Sequence, residues 1–210
     1  MPSIWAGNHT KEVHGGVDDY VFFLSKEDVP FGCFSNAYRE KGGGHAGRRE
    51  SSENSSNIAS PKFWCVNQEL HYRKAKLFGD DETADLIILE TEDAGKIKQL
   101  GRMVKGYDDA KWTEMRYDVA RDAVHAKFEN DNALKNILLG TKEKIIVEAA
   151  TDKAWGIGVV EFSTVEKKGA KNKETGVWDV SPIEWVGENL LGRCLMDVRK
   201  MLEASSRQDQ

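Results

Sequence analysis

The stretch from residue 109 to 128 most constrains what this chain can fold into. It contains no proline or glycine, and Trp112, Met115, Val119, Ala123 and Ala126 recur at steps of three and four. Successive residues of a helix turn by about 100°, so that spacing places all five on one stripe. A stripe this long has to be buried against other elements, and the chain therefore needs a core made largely of packed helices.

The rest of the sequence supplies partners for it. Residues 67–78 (NQELHYRKAKLF) carry Leu70, Tyr72, Ala75, Leu77 and Phe78 with no breaker before Gly79-Asp80, and they predict a helix. Residues 83–89 and 93–105 predict two more, and 132–139 a short one stopped at Gly140. Leu190, Leu191, Leu195, Val198 and Leu202 share one face of a terminal helix. Strand formers concentrate at 20–25 (YVFFLS), ahead of a turn with proline and glycine, and at 144–149 (KIIVEA). The expected class is mainly α with a small β-sheet, an α+β single domain over 20–203. Residues 1–19 read as an N-terminal extension and 204–210 as a disordered tail. Residues 42–60 read as a flexible insertion rich in glycine and serine, and 167–181 as a second polar loop.

A chain of 210 residues fits one domain of ordinary size. With 40% hydrophobic and 31% charged residues and a mean hydropathy of −0.57, it should be soluble, with a real core inside a polar shell. The longest apolar runs, at 86–89 and 145–147, fall far short of the roughly 20 residues that cross a bilayer, and the first residues show no basic-then-apolar leader. No membrane partner is expected. Cys33, Cys65 and Cys194 lie far apart, which encodes neither a disulfide framework nor a zinc site and suits a reducing compartment, the cytoplasm or nucleus. The net charge of −5 argues against stable high-affinity binding to duplex nucleic acid, while leaving room for a local basic pocket.

Familiar catalytic patterns are missing. Gly156-Ile157-Gly158 lacks the third glycine and the helix of a dinucleotide site. The acids Asp80, Asp81, Glu82 and Asp85 suit helix capping better than a cation. No H-x-x-x-H pair or G-x-S-x-G elbow occurs, so neither a metal nor a cofactor is expected.

What remains is a set of polar groups within apolar segments: Asn36, Lys74, Arg102, Arg116, Glu148, Asp152, Asn189 and Arg199. Such groups are costly to bury unless paired, so they are either structural pairs or a site. Asn67, His71 and Lys74 share one helix face, since seven steps nearly complete two turns. That face is either a reaction centre or a solvated surface.

The order of short motifs points further. FGCFSN at 31–36, FW at 63–64 and a helix ending KAKLFGD at 80 are followed by LGRMV at 100–104 and W-x-x-x-R at 112–116. Then come KFENDNAL at 127–134, E-x-x-x-D-x-x-WGIG at 148–158 and NLLGRCLMDVR at 189–199. Together they resemble the NADAR family of YbiA-like N-glycosidases, over about residues 20–202. The resemblance implies a mainly helical fold and hydrolysis of N-glycosidic bonds to ribose without a metal. Its implied substrates are ADP-ribose attached to guanine in nucleic acid or a nucleotide, or ribosylamino-pyrimidine intermediates of riboflavin biosynthesis. The former is the expectation here.

The resemblance also implies roles. Lys74 matches the family's lysine and would act as a Schiff-base nucleophile. Most members carry a glutamate seven residues earlier, where this chain has Asn67, and an amide cannot shuttle protons. Glu69 lies about 160° around the helix from that position and substitutes poorly. His71, Glu148 and Asp152 are therefore the candidate acids, the last two foremost. Arg102 and Arg116 would clamp a pyrophosphate or carboxylate. Trp64, Trp112 and Trp155 offer faces for a base, although core packing is the favoured reading of Trp112, which sits on the apolar stripe. Phe34, Ser35, Asn36 and Asn189 would bind the ligand, the asparagines through ribose hydroxyls, and Gly156 would let the backbone approach closely. A chain carrying Asn67 could also be an ADP-ribose-binding module that has lost catalysis.

Overall fold

The computed structural model describes residues 19–47, 61–90, 93–158 and 186–208. Most of the 42–60 insertion, the 167–181 loop and nearly all of the N-terminal extension lie outside the described residues. Among the described residues the order is β1 (Tyr20–Phe23), a 3-10 turn (Phe31–Phe34), β2 (His45–Ala46), β3 (Lys62–Phe63), α1 (Val66–Leu77) and α2 (Asp81–Leu89). Then follow α3 (Ala94–Arg102), α4 (Asp109–Glu129), α5 (Asn132–Leu139), β4 (Ile145–Glu148) and α6 (Leu190–Gln208). The class is α+β, with six described helices and two small two-stranded sheets. No described helix is long and apolar enough to cross a membrane.

The chain divides into two compact units. The larger comprises Ser25–Lys142 and Cys194–Gln210. Four of its helices start on an aspartate whose carboxylate accepts backbone N–H groups left over in the first turn: Asp80 from Thr83, Asp93 from Gly95, Asp108 from Lys111 and Asp131 from Ala133. Asp80 also accepts the N–H of Lys105 at 2.8 Å, while Asp81 and Glu82 pair with Lys76 and Lys105, so the acidic run at 80–82 is engaged in capping and ion pairs. Helix α1 is central and packs against α2, α3 and α4. One core cluster joins Trp64, Cys65, Ala75, Ala84, Ile87, Ile97 and Val104.

On α4, Trp112, Val119, Ala123 and Ala126 are buried as the stripe predicts, but Met115 is 38% exposed. The buried face extends through Ala120, Val124 and Lys127, so its centre lies to one side of the predicted stripe and Met115 falls at the far margin by the 100° step. The turn ahead of β2 uses Gly42, Gly43 and Gly44, all with positive φ, and at Gly44 a β-carbon would stand 2.0 Å from the Phe63 carbonyl oxygen. Helix α6 continues to Gln208, through most of the stretch read as tail.

The smaller unit comprises Met1–Leu24 and Glu143–Arg193. Its strands β1 and β4 pair in parallel, Tyr20 opposite Ile145 and Phe23 opposite Glu148. Phe22, Val147 and Ile157 form its apolar cluster.

Candidate functional site

Helix α1 carries the face expected of a site. Asn67 is buried at its N-terminal end, and His71 and Lys74 follow half-buried on the same side. From Asn67 to Lys74 the axial rise is about 10 Å. Cys65 gives α1 no side-chain cap, and the Asn67 backbone N–H instead donates to the Asn36 carbonyl at 2.9 Å. This contact ties the FSN turn, with Phe34 buried and Ser35 half-buried, to the start of the helix. The side-chain Oδ1 of Asn36 is buried with no hydrogen-bond partner, an acceptor that a ligand hydroxyl could use.

Lys74 has a defined setting. Its Nζ donates to the Gly101 carbonyl at 2.8 Å and lies 4.1 Å from the ring centre of Tyr107 and 5.6 Å from that of Trp112. Among the described residues no carboxylate lies within ion-pair distance of it. Burial pushes its pKa below that of an ordinary lysine, and the charge of Asp109 acts in the opposite direction. Tyr107, at the loop before α4, donates its hydroxyl to Asp109 at 2.7 Å and is braced edge-on by Phe78. His71 is held neutral: burial, then the charges of Lys74, Lys98 and Arg102, lower its pKa to about 4.

Glu69 is fully buried and committed elsewhere. Its Oε2 meets His45 Nε2 at 2.8 Å, while His45 Nδ1 meets Glu40 at 2.6 Å. Burial alone would lower the pKa of His45, but the hydrogen bonds with Glu40 and Glu69 raise it to about 9. This imidazolium between two carboxylates closes the 40–47 turn onto α1. Below the FSN turn, Lys127 is completely buried, donating to the carbonyls of Cys33 at 2.6 Å and Ser35 at 3.2 Å. Burial lowers its pKa as well.

The other predicted residues are placed less favourably. Arg102 is exposed, and Arg116 is half-buried with its charge acting on Tyr107. Trp64 is buried, its indole N–H donates to the Glu90 carbonyl and the Arg39 guanidinium covers its ring at 4.9 Å. A cavity of about 270 Å³ beside it is lined by Arg39, Lys62 and Gln68 and shares no residue with the surroundings of Lys74. Arg199 donates to Thr141 at 2.7 Å, a structural tie.

Glu148, Asp152, Trp155, Gly156 and Asn189 gather in the smaller unit. Asp152 is exposed, and its Oδ1 accepts the N–H groups of Ala154 and Trp155, both at 2.8 Å, so this oxygen serves a turn. Asn189 donates to the Ile146 carbonyl at 2.9 Å and accepts the Glu148 N–H at 3.0 Å, both on β4. At Gly156 a β-carbon would meet Ala150 at 2.9 Å and Glu148 at 3.0 Å, so the glycine permits a close approach of chain to chain.

Sequence reasoning missed Gly101, Tyr107 and Asp109 around Lys74, together with Lys127 and the Glu40–His45–Glu69 bridge. Lys127 had a signal. It lies fifteen residues after Trp112, about 60° around the helix and inside the buried sector, where a charge is unexpected.

The motif order, the lysine on α1 and the FSN turn all fall within residues 22–203, which match the NADAR domain as a family. The chain belongs to the NADAR family. Among curated relatives, N-glycosidase R617 of Acanthamoeba polyphaga mimivirus is 32% identical over 140 residues, covering 66% of this chain and 74% of that protein. Protein irg-1 of Caenorhabditis elegans is 33% identical over 144 residues, covering 67% of this chain and 61% of that protein, so less than two thirds of the latter is spanned. The NMR structure of the E. coli protein YbiA superposes with a TM-score of 0.61 over 90% of this chain and 88% of that chain, at 21% identity. That likeness shows the NADAR chain's fold.

Proposed function

We propose that this NADAR protein removes ADP-ribose from ADP-ribosylated guanine, in a nucleotide or nucleic acid, by imine chemistry at Lys74. The reaction class, hydrolysis of an N-glycosidic bond, follows from the family and from the mimiviral relative whose name states it. Membership of the family supports a nucleotide-type substrate. The observation that carries the proposal is Lys74 itself: a half-buried amine with no carboxylate partner among the described residues, held by one carbonyl beside two aromatic faces.

A neutral amine is the nucleophile, and desolvation increases its share at neutral pH. In the proposed reaction the ribose ring opens to an imine on the base nitrogen. A bond then forms from Nζ to C1′, the bond from C1′ to the base nitrogen breaks, and a proton from the amine goes to the departing base. Water adds to C1′, the C1′–Nζ bond breaks, and the sugar leaves as its aldehyde, which recloses. Asn36 and Asn67 hold the sugar side in this reading, and Arg116 the phosphates.

Incubating the purified chain with an oligonucleotide carrying ADP-ribose on guanine, and following free ADP-ribose by mass spectrometry, tests the proposal. Release that is absent in Lys74→Ala supports it, and equal release by the variant removes Lys74 from the reaction. A second reading is favoured by Asn67, an amide where relatives of the resembled pattern carry an acid: a module that binds ADP-ribose without hydrolysis. Calorimetric binding of ADP-ribose with no release from any N-glycoside would select it. Action on small ribosylamine phosphates alone would select a riboflavin-type substrate.

A further inference from the structure

Tyr107 touches two charged groups in two directions. Its ring face carries the Lys74 Nζ, 4.1 Å from the ring centre, while its hydroxyl, which lies in the ring plane, donates to Asp109 Oδ1 at 2.7 Å. The ring thus stands between an amine and a carboxylate. Phe78 meets it edge-on at 5.4 Å, and the loop that bears it is fixed by a turn at Gly106, with a φ of 67°, and by the Lys105 N–H donating to Asp80 at 2.8 Å. Burial and the bond with Asp109 raise the phenol's pKa, so it remains a donor.

Asp109 is the carboxylate best placed to pair with Lys74. It precedes Trp112 by three residues on α4, so their side chains are neighbours on one face, and Lys74 meets that face with its Nζ 5.6 Å from the Trp112 ring centre. The charge of Asp109 already favours the ammonium, yet the phenol holds its oxygen and the two groups form no ion pair. A carboxylate in contact would keep the proton on Nζ, whereas a ring face attracts the ammonium more weakly and also accepts an N–H of the neutral amine. The remaining charged groups nearby are cations or are engaged elsewhere. His71 on α1 is neutral, Lys98 and Arg102 on α3 and Arg116 on α4 are cations, and Lys111 donates to the Leu77 carbonyl. Asp108 caps α4, and Asp81 and Glu82 pair with Lys76 and Lys105.

We propose that Tyr107 is a positioning residue of the reaction: its ring holds the Lys74 amine while its hydroxyl tethers Asp109, so that nucleophile and carboxylate do not pair. For its bearing on rate the proposal rests on the reading of Lys74 as nucleophile, whereas the tether stands on the two contacts of Tyr107. With Asp109 withheld, the Lys74 ammonium gives its proton to solvent at a lower pH, and more of the chain carries the neutral amine that attacks C1′.

Three variants of the full chain test this: Tyr107→Phe, Asp109→Asn and the two combined. Phenylalanine keeps the ring face and removes the tether, which frees Asp109 to reach Lys74. The Lys74 midpoint, followed by NMR of 13C-labelled lysine with Lys74→Ala to assign the signal, should rise in Tyr107→Phe by roughly half to one pH unit. Release of ADP-ribose at pH 7 should fall about three- to tenfold with it, and the loss should be recovered as pH rises. In the combined variant the midpoint should return to that of Asp109→Asn alone, so that Asp109→Asn lowers it further in the Tyr107→Phe background than in the parent. A Tyr107→Phe midpoint at or below that of the parent, or an equal effect of Asp109→Asn in both backgrounds, overturns the tether. A rate that drops equally at every pH marks a purely structural role and overturns the proposal as well. If borohydride traps no imine between Lys74 and ADP-ribose in the parent, the nucleophile reading fails and with it the bearing on rate, while the NMR midpoints still decide the tether.

Discussion

The Nζ of Lys127 lies 2.6 Å from the carbonyl oxygen of Cys33, with the side chain completely buried and a second carbonyl, that of Ser35, within reach. No carboxylate meets this cation within ion-pair distance among the described residues. The faces of Tyr38 and Phe128, at 5.1 and 5.3 Å, complete its surroundings. The lysine at the end of α4 is thus the peg on which the FSN turn hangs.

Replacing Lys127 by Met keeps the volume but takes the donor from the Cys33 carbonyl, the Ser35 carbonyl keeping the Tyr38 N–H, while removing a desolvated charge. The net loss should be about 2 kcal/mol in denaturant unfolding, with the slope unchanged. Because the turn bears Asn36, ligand affinity should fall as well, measurable by titration calorimetry with ADP-ribose.

Stability should depend on alkaline pH through His45. Its pKa is raised in the folded chain to about 9, from 6.5, so the bridge to Glu40 and Glu69 contributes fully below pH 6.5 and is lost as pH climbs through about 9. The contribution is on the order of 3 kcal/mol. Thermal unfolding across that window should show the fall, and His45→Gln should start lower and stay flatter.

Lys74→Ala should bring release of ADP-ribose to background with an unchanged circular dichroism spectrum. In the parent chain, rate should rise with pH through a midpoint below that of an ordinary lysine, because burial depresses the amine. Asp109 opposes that depression, so Asp109→Asn should move the midpoint lower still, read from the pH profile of kcat/KM.

Asn67→Glu introduces a titratable group on the face of Lys74, two helical turns away. If proton transfer limits the reaction, turnover should increase by about 10²–10⁴-fold. An unchanged rate would show that another group already moves the proton.

Asn189 joins β4 to the start of α6 through both ends of its amide, at a φ of 51°. Asn189→Ala should destabilise by about 1–3 kcal/mol. Asn189→Gly should recover about 1 kcal/mol of that, since only the alanine is strained in the left-handed region. Chemical unfolding of both variants measures the difference.

The helices were legible because their signals are local. Aspartates at 80, 93, 108 and 131 sit where orphan N–H groups need acceptors, and the steps of α4 and α6 need only the helical period to be read. Met115 was misplaced because three-residue and four-residue steps drift to opposite sides of a stripe, and a sequence does not say where the partner helix lies. The short pair β2–β3 carries too few residues for alternation to show, and the close approach of Gly44 to the Phe63 carbonyl leaves no periodic mark in the sequence.

The site divided along similar lines. Lys74 and His71 could be named from their shared face and the motif order. Gly101 and Tyr107 could not, since they act through a backbone carbonyl and a ring face, and neither role marks residue identity. The motif order marks Asn189 as a ligand group and Asp152 as a candidate acid, whereas the backbone of β4 engages both ends of the Asn189 amide and a turn engages one oxygen of Asp152.

The parallel pairing of Tyr20–Phe23 with Ile145–Glu148 sets an order of assembly. Strand β1 leaves the ribosome before β4 and waits while the whole of residues 24–144 is made. Helices α1 to α5, whose contacts are among neighbours in the chain, can settle in that interval, whereas closing so long a loop is slow and gains nothing until it is complete. Until then YVFF is an unpaired, sticky segment, and the nascent protein is at its most aggregation-prone just before β4 emerges.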